Sequence, residues 1–362
     1  MKILLSAGGT GGHLFPAIAV LEEIARITAG KVPFEIFSVG NPEKIEARVC
    51  KEKRWHFTPI PMIGFSGFGF KFFKFFLNTL KSINICRDLI RKEGIDFGIA
   101  TGAYISYPAG MALYSEKKPL FLLESNLVPG KANRLLARRA SIFFATFEET
   151  KKWLPVDVRT NVKVLGTPIR KELLISRTPK EAREKFGLEP DKQTLLVFGG
   201  SLGARSINQT IYANYKKLLS EGIQILWQTG KNFGFEKPQA KGLKILDFIE
   251  DMASAYAASD LVVARSGAST IAEIAALGKP SILIPYPFST NKHQEENARQ
   301  LANSNAAIMI PDSKVDNLLI QTVISLIKNP YKLQELSQNT RKFGNPNAGF
   351  EIANEILNFM NI

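Results

Sequence analysis

Ser269, Thr270 and Glu273 are the side chains whose types and spacing could build a nucleotide site. They lie in the stretch Arg265-Ser-Gly-Ala-Ser-Thr-Ile-Ala-Glu-Ile-Ala-Ala-Leu-Gly-Lys-Pro280. An apolar run, Leu261–Ala264, precedes it as a buried strand, and Gly278 and Pro280 end the helix that follows. Strand, turn and helix aim backbone N–H groups and the positive end of a helix dipole at an anion. Gly267 lets a ligand approach the backbone, and Ser269 and Thr270 can donate to phosphate oxygens. Glu273, one turn in, can accept both hydroxyls of a vicinal diol such as a ribose. A plainer reading stands beside this one: Ser266, Ser269 and Thr270 cap the helix, and Glu273 is a solvated carboxylate. Further on, Asn291-Lys-His-Gln-Glu-Glu-Asn297 opens another helix with polar side chains at its start.

Two more residues could move a proton. His13 ends the run Gly8-Gly9-Thr10-Gly11-Gly12-His13, and an imidazole there can serve as a base or bind backbone at the helix start. Glu124 follows the apolar run Pro119–Leu123 and is either an acid or base or a capping, ion-paired carboxylate. A second glycine loop, Gly199-Gly200-Ser201-Leu202-Gly203-Ala204-Arg205, repeats the first loop's pattern in the other half of the chain.

These residues need elements to hold them. Lys2–Ala7 reads as a strand, and Leu14, Ile18, Leu21 and Ala25 recur at helical spacing. Further strands are expected at Phe34–Val39, Asp96–Ala100, Pro119–Leu123, Ser141–Thr146 and Val162–Leu165. Gly166-Thr-Pro-Ile-Arg170 breaks the pattern as an interdomain linker. The grammar then restarts: strands Thr194–Phe198, Ile223–Thr229, Lys244–Ile249, Asp260–Ala264, Pro280–Pro285 and Ala307–Ile310, with a helix over Ser206–Leu219. Alternating strand and helix in both halves predicts two doubly wound α/β domains, with ligands beyond the carboxyl ends of the strands and a cleft between the domains. The expected domains are 1–166 and 167–344, with the C-terminal segment, about 345–362, able to pack back on the first. A dinucleotide fold of this kind wants an acid at the end of its second strand. Phe34–Val39 ends in Gly40-Asn41, which disfavours NAD.

The chain of 362 residues carries a formal net charge of +14, which calls for an acidic partner: nucleic acid, anionic lipid or a phosphorylated substrate. Cys50 and Cys86 have neither a disulfide framework nor metal spacing, which fits a reducing cytosol. The short N-terminal apolar run is too brief for a signal peptide, and no apolar run is long enough to span a bilayer. The expectation is a soluble or peripheral protein. Residues 64–85 interleave Phe65, Phe68, Phe70, Lys71, Phe72, Phe73, Lys74, Phe75 and Phe76 before a helix that runs past Arg91. Either this is an apolar and basic element that sits on an anionic bilayer, or its phenylalanines pack in the core with the lysines wet. Nucleic acid is disfavoured as the partner because no nucleic-acid motif accompanies the stretch. The Asp-x-Asp metal–nucleotide signature is absent, so a leaving diphosphate would rest on a helix N-terminus, Ser201 and Arg265 without a metal or other cofactor.

Four motifs in order carry a resemblance: Gly8 to His13, Gly199 to Arg205 with Ile207-Asn208-Gln209, Phe248-Ile249-Glu-Asp-Met252, and Arg265 through Glu273. Together they resemble the MurG group of glycosyltransferase family 28, the peripheral membrane N-acetylglucosaminyltransferases of peptidoglycan synthesis. The resemblance implies a GT-B fold and transfer of N-acetylglucosamine from UDP-N-acetylglucosamine to the 4-hydroxyl of the muramoyl sugar in lipid I. The product would be lipid II, formed with inversion and without a required metal, at the cytoplasmic face of the inner membrane. It would place the chain in cell-wall biogenesis, and so in cell shape and division.

By motif, the resemblance puts the uracil on backbone at Ile249, the ribose on Glu273, and the diphosphate on Ser201, Ser269 and Thr270 with Arg265 nearby. The sugar hydroxyls fall to His293 and Gln294. Thr10, Gly11, Gly12, His13, Tyr104, Asn126 and Arg170 match acceptor or domain-junction positions, with the acceptor diphosphate on the first domain's glycine loops. His13 is the first choice of base. The phenylalanine–lysine stretch falls at the membrane-facing patch. Two departures stand out: the usual His-Glu-x-Asn is Leu123-Glu124-Ser125-Asn126, and the usual Gly-Gly-Tyr-x-Ser-Gly-Pro is Gly102-Ala103-Tyr104-Ile105-Ser106-Tyr107-Pro108. The same architecture also serves other lipid acceptors and UDP-sugar epimerases, and a nucleotide-regulated membrane-binding protein is the non-enzyme reading.

Overall fold

The computed structural model describes residues 1–9, 11–29, 31–62, 70–231, 233–289 and 292–362, with only the backbone of 70–72. It divides into two compact units, Met1–Arg170 with Asn347–Ile362, and Lys171–Pro346. The division falls after Arg170 rather than after residue 166.

In the first unit the chain runs β1 (Lys2–Ser6), α1 (Gly11–Ile27), β2 (Glu35–Gly40), α2 (Ile45–Lys53), β3 (His56–Pro59), α3 (Phe70–Glu93), β4 (Phe97–Ala100), α4 (Ala103–Ser115), β5 (Leu120–Glu124), α5 (Lys131–Leu136), β6 (Ile142–Ala145) and β7 (Val162–Val164). The strands are parallel in the order β3-β2-β1-β4-β5-β6-β7. That is the Rossmann order, with the switch point at the end of β1. Successive residues alternate between two apolar layers, because side chains of a strand point to opposite faces. Ile3, Leu5, Phe121 and Leu123 pack with Leu14, Ile18 and Leu21 of α1. Leu4 and Leu122 face Ile90 of α3 and Ile105 and Leu113 of α4. Sequence reading gave no element to residues 41–59, where α2 and β3 extend the sheet.

The second unit follows the same plan: α6 (Pro179–Lys185), β8 (Thr194–Phe198), α7 (Arg205–Ser220), β9 (Gln224–Gln228), β10 (Leu243–Leu246), α8 (Met252–Ala258), β11 (Leu261–Ala264), α9 (Ala268–Leu277), β12 (Ser281–Leu283), α10 (His293–Asn303), β13 (Ile308–Met309), α11 (Val315–Ile327) and α12 (Pro330–Arg341). Its parallel order is β10-β9-β8-β11-β12-β13. Leu195, Val197, Ile225 and Trp227 pack with Ile207 and Ile211 of α7 and Leu319 and Val323 of α11. The strand expected over Lys244–Ile249 stops at Leu246, which leaves Phe248 and Ile249 in the loop before α8.

The last helix, α13 (Ala348–Phe359), belongs to the first unit and lies on α1. Its Ile352 and Ile356 are fully buried. Burying two such side chains contributes roughly 1.5–3 kcal/mol each, enough to hold a twelve-residue helix that would be marginal alone.

Candidate active site

In the second unit, α9 starts after Gly267, and no side chain caps it. The capping reading therefore fails for Ser266, Ser269 and Thr270. Ser266 is buried and its hydroxyl donates to the Gln294 carbonyl at 2.8 Å. Ser269 and Thr270 occupy the first turn, half-buried, beside the N–H groups that a helix start leaves unpaired. Glu273 is half-buried rather than solvated, and its Oε2 accepts the Tyr256 hydroxyl at 2.9 Å. Hydroxyls able to donate to a phosphate and a carboxylate able to accept from a diol thus share one ten-residue helix.

The neighbouring loops are tied together by a residue that no motif singled out. Gln228, at the buried end of β9, donates to the Gly200 carbonyl at 2.9 Å and accepts the Ile249 N–H at 2.8 Å. Ile249 therefore has only its carbonyl to offer a base, and a carbonyl there would accept a ring N–H such as uracil N3–H. Ser201 lies exposed in the same glycine loop. Arg265 is less available than its place in the motif suggests. Its Nη1 meets Asp312 Oδ1 at 2.5 Å and the Pro285 carbonyl at 3.1 Å, and Nη2 donates to Ser206 Oγ at 3.1 Å. Its charge is answered by Asp312, and its guanidinium also lies over the Tyr286 ring. It braces the loop beyond β12 more than it offers charge to a phosphate. His293 and Gln294 open α10, where Gln294 Oε1 accepts the Tyr286 N–H at 2.9 Å, so the side-chain amide keeps its N–H groups for donation.

In the first unit, His13 Nδ1 lies 2.9 Å from the Thr101 carbonyl. A carbonyl only accepts, so Nδ1 carries the hydrogen and Nε2 is the basic nitrogen. Sequence reading missed Glu46, fully buried at the start of α2. It accepts the Gly9 N–H at 3.0 Å and the Asn41 N–H at 3.1 Å. A Cβ on Gly8 would stand 2.5 Å from the Glu46 carboxyl carbon, and one on Gly40 would stand 2.6 Å from its Cγ. Two glycines therefore make room for one carboxylate, which holds the first glycine loop from behind. The Gly9 N–H is consumed by that carboxylate and cannot also donate to a diphosphate. Burial pushes the Tyr104 phenol above its usual pKa; a hydrogen bond to Asn41 opposes this and the charge of Glu46 adds to it.

Glu124 is also buried, and four donors surround it: Asn126 N at 2.9 Å, Asn126 Nδ2 at 3.1 Å, Gly130 N at 2.9 Å and Asn133 Nδ2 at 2.9 Å. A carboxylate has about four acceptor positions, so this one is occupied in fastening the loop after β5. This geometry gives Glu124 a loop-fastening part, and Asn126 is one of its donors. Gly11 and Gly12 form the half-buried start of α1, and Arg170 lies over the Phe15 ring at 5.7 Å. Thr10 lies outside the described residues.

The phenylalanine–lysine stretch divides along α3. Phe73, Phe76, Leu77 and Leu80, spaced i, i+3, i+4 and i+7, are exposed, Phe73 to 58%. Lys74 is exposed with them, while Phe75 packs against the core and Thr79, Ser82, Cys86 and Ile90 form the buried face. Phe65 and Phe68 lie outside the described residues, as do the side chains of Phe70, Lys71 and Phe72. No described helix is long and apolar enough to cross a membrane.

Residues 3–144 match the glycosyltransferase family 28 N-terminal domain and residues 194–350 the glycosyltransferase family 28 C-terminal domain. A protein of Thermodesulfovibrio yellowstonii is 37% identical over 99% of both chains. This chain belongs to glycosyltransferase family 28. The relative is named UDP-N-acetylglucosamine--N-acetylmuramyl-(pentapeptide) pyrophosphoryl-undecaprenol N-acetylglucosamine transferase. Among solved structures, Acinetobacter baumannii MurG matches with a TM-score of 0.76 at 26% identity over 99% of both chains. The UDP-GlcNAc 2-epimerase of Neisseria meningitidis, bound to UDP-GlcNAc, matches with a TM-score of 0.70 over 99% of this chain and 100% of its own. At 17% identity that likeness shows the shared fold alone. The family and its neighbours make this chain a hexosyltransferase of GT-B type, built from two Rossmann-like domains.

Proposed function

We propose that this family 28 enzyme transfers N-acetylglucosamine from UDP-N-acetylglucosamine to the 4-hydroxyl of an undecaprenyl-diphosphate-linked muramoyl peptide, lipid I, giving lipid II with inversion. The observation that carries the reading is α9, which sets Ser269 and Thr270 at a helix N-terminus one turn before the Tyr256-held Glu273. The named activity of relatives matched along the whole chain supports the same reading.

In this reading the second unit holds the donor. The N-terminus of α9, its hydroxyls and Ser201 take the diphosphate, Glu273 the ribose, the Ile249 carbonyl the uracil N3–H, and His293 and Gln294 the sugar hydroxyls. The first unit holds the acceptor, with Tyr104, Asn126 and Arg170 around it. His13 Nε2 takes the proton of the acceptor hydroxyl as its oxygen bonds to the anomeric carbon. The bond from that carbon to the diphosphate breaks, and its electron pair leaves with UDP. One displacement inverts the anomeric centre. Charge developing on UDP is met by the helix N-terminus in place of a metal ion. The exposed face of α3 with Lys74 seats the enzyme on the anionic inner face of the membrane, where the lipid acceptor lies.

The deciding experiment follows labelled N-acetylglucosamine from its UDP donor to a short-chain lipid I analogue with EDTA present. A disaccharide product is expected. UDP-N-acetylglucosamine binding without transfer would sink the acceptor assignment, and no binding of any UDP-sugar would sink the donor site.

A further inference from the structure

Glu273 is not alone in its task. Tyr256, on α8, is 1% exposed, and its hydroxyl reaches Glu273 on α9 at 2.9 Å. The ring is held edge-on against Phe198 with centroids 6.1 Å apart and an interplanar angle of 83°. Phe198 is the last residue of β8, directly before the loop that carries Ser201. The helix bearing Tyr256 begins three residues after Ile249, with Asp251 capping it through the Ser254 N–H at 2.9 Å. One buried phenol therefore connects the segment after Ile249 and the end of β8 to the carboxylate.

A glutamate on a helix surface samples several rotamers, and each must be given up when it binds two hydroxyls at once. A buried phenol donating to one oxygen removes part of that cost beforehand and sets the carboxylate plane. We propose that Tyr256 is a positioning residue for donor recognition, fixing Glu273 so that it reads two adjacent hydroxyls and selects ribonucleotides over their deoxy counterparts. The proposal rests on the assignment of Glu273 to the ribose.

The test measures binding of UDP, 2′-deoxy-UDP and 3′-deoxy-UDP to the full chain, its Tyr256→Phe and Glu273→Gln variants, and the double variant. Loss of a charge-assisted hydrogen bond predicts that the unchanged protein prefers UDP about ten-fold or more over either deoxy form. Tyr256→Phe keeps the ring and its packing on Phe198. It should cut that preference to about three-fold or less, with a larger loss in donor KM than in kcat. In the Glu273→Gln background it should change the preference no further, because residues that act through one another are not additive. A merely structural tyrosine would weaken all three nucleotides alike and leave the preference intact, which overturns the proposal. If Glu273→Gln itself leaves the preference intact, the ribose assignment fails first. Should Tyr256→Phe not fold, Phe198→Leu, which loosens the ring but keeps the hydroxyl, must lower the preference, and an unchanged preference overturns the proposal.

Discussion

Gln228 Oε1 accepts the Ile249 N–H at 2.8 Å while the same side chain donates to the Gly200 carbonyl at 2.9 Å. One buried amide thereby sets the spacing of the loop before α8 and the second glycine loop. Gln228→Glu tests it. A glutamate still accepts from Ile249 but brings an oxygen against the Gly200 carbonyl. A buried acceptor left without a donor costs about 1–3 kcal/mol. The expected result is a loss of stability of that size and at least ten-fold weaker UDP binding by titration calorimetry. Normal UDP affinity in the variant would show that the two loops do not depend on this amide.

The helix starts that carry Ser269, Thr270, Glu273 and His13 are legible because the glycines, hydroxyls and apolar spacing around them are local. Gln228, Tyr256 and Glu46 work on partners 21, 17 and 37 residues away, and no local pattern marks them. One signal was present: Gln228 is a polar residue closing the apolar strand β9, and a buried polar side chain needs a partner. The α2–β3 segment stayed unread because β3 is an edge strand, and its sequence His-Phe-Thr-Pro has no continuous apolar run. Glu124 was legible as a residue but not as a role, since its four donors are known only from the folded loop.

His13 and Glu124 make opposite predictions. His13→Ala should lower kcat about 100-fold or more, as removal of a general base does, and cost only about 1 kcal/mol of stability for the lost hydrogen bond to the Thr101 carbonyl. Glu124→Gln turns an amide N–H₂ toward donors already in place, so it should lower stability by about 1–3 kcal/mol. Steady-state kinetics and a melting curve on both variants separate the two. A Glu124→Gln protein with normal stability and a hundred-fold loss in kcat would return proton transfer to Glu124.

The exposed face of α3 predicts binding to vesicles containing phosphatidylglycerol. A cation near an anionic surface contributes about 1 kcal/mol, so Lys74→Glu should lower partitioning roughly ten- to thirty-fold. Phe76→Ser should also lower it, and neither should change turnover of a water-soluble acceptor. Sedimentation with vesicles at low and high salt measures this. Binding that ignores both substitutions and salt would assign the face to another partner.

Ala103 opens α4 with φ of 58°, a left-handed conformation that costs a residue with a Cβ about 1–2 kcal/mol. It stands where the family's motif has glycine. Ala103→Gly should relieve that strain and stabilise the first unit by about 1 kcal/mol, which raises its melting temperature by roughly 2–4 °C. A lower melting temperature would mean that the added freedom of the unfolded chain outweighs the strain.

Lys279 carries the pH dependence most open to test. Burial pushes its ammonium down from 10.5 to about 8; Asp260 opposes the shift, and Arg183 and Arg341 add to it. The residue is half-buried, and its ammonium donates to the Ser259 carbonyl at 2.9 Å. Below about pH 8 both folded and unfolded chains hold the proton, so the full penalty of the buried charge is present. Between about 8 and 10.5 the unfolded chain binds more protons than the folded one, and stability must rise with pH. The gain is at most on the order of 3 kcal/mol. Urea denaturation at several pH values across that window, on the unchanged protein and on Lys279→Met, isolates the term, because other titrating groups cancel in the difference. The variant should match or exceed the parent near pH 7, since an apolar side chain replaces a buried charge. Its advantage should shrink as the pH rises and the parent's lysine loses its proton. A difference that stays constant across the window would mean that the Lys279 ammonium is no less stable in the folded chain than in the unfolded one.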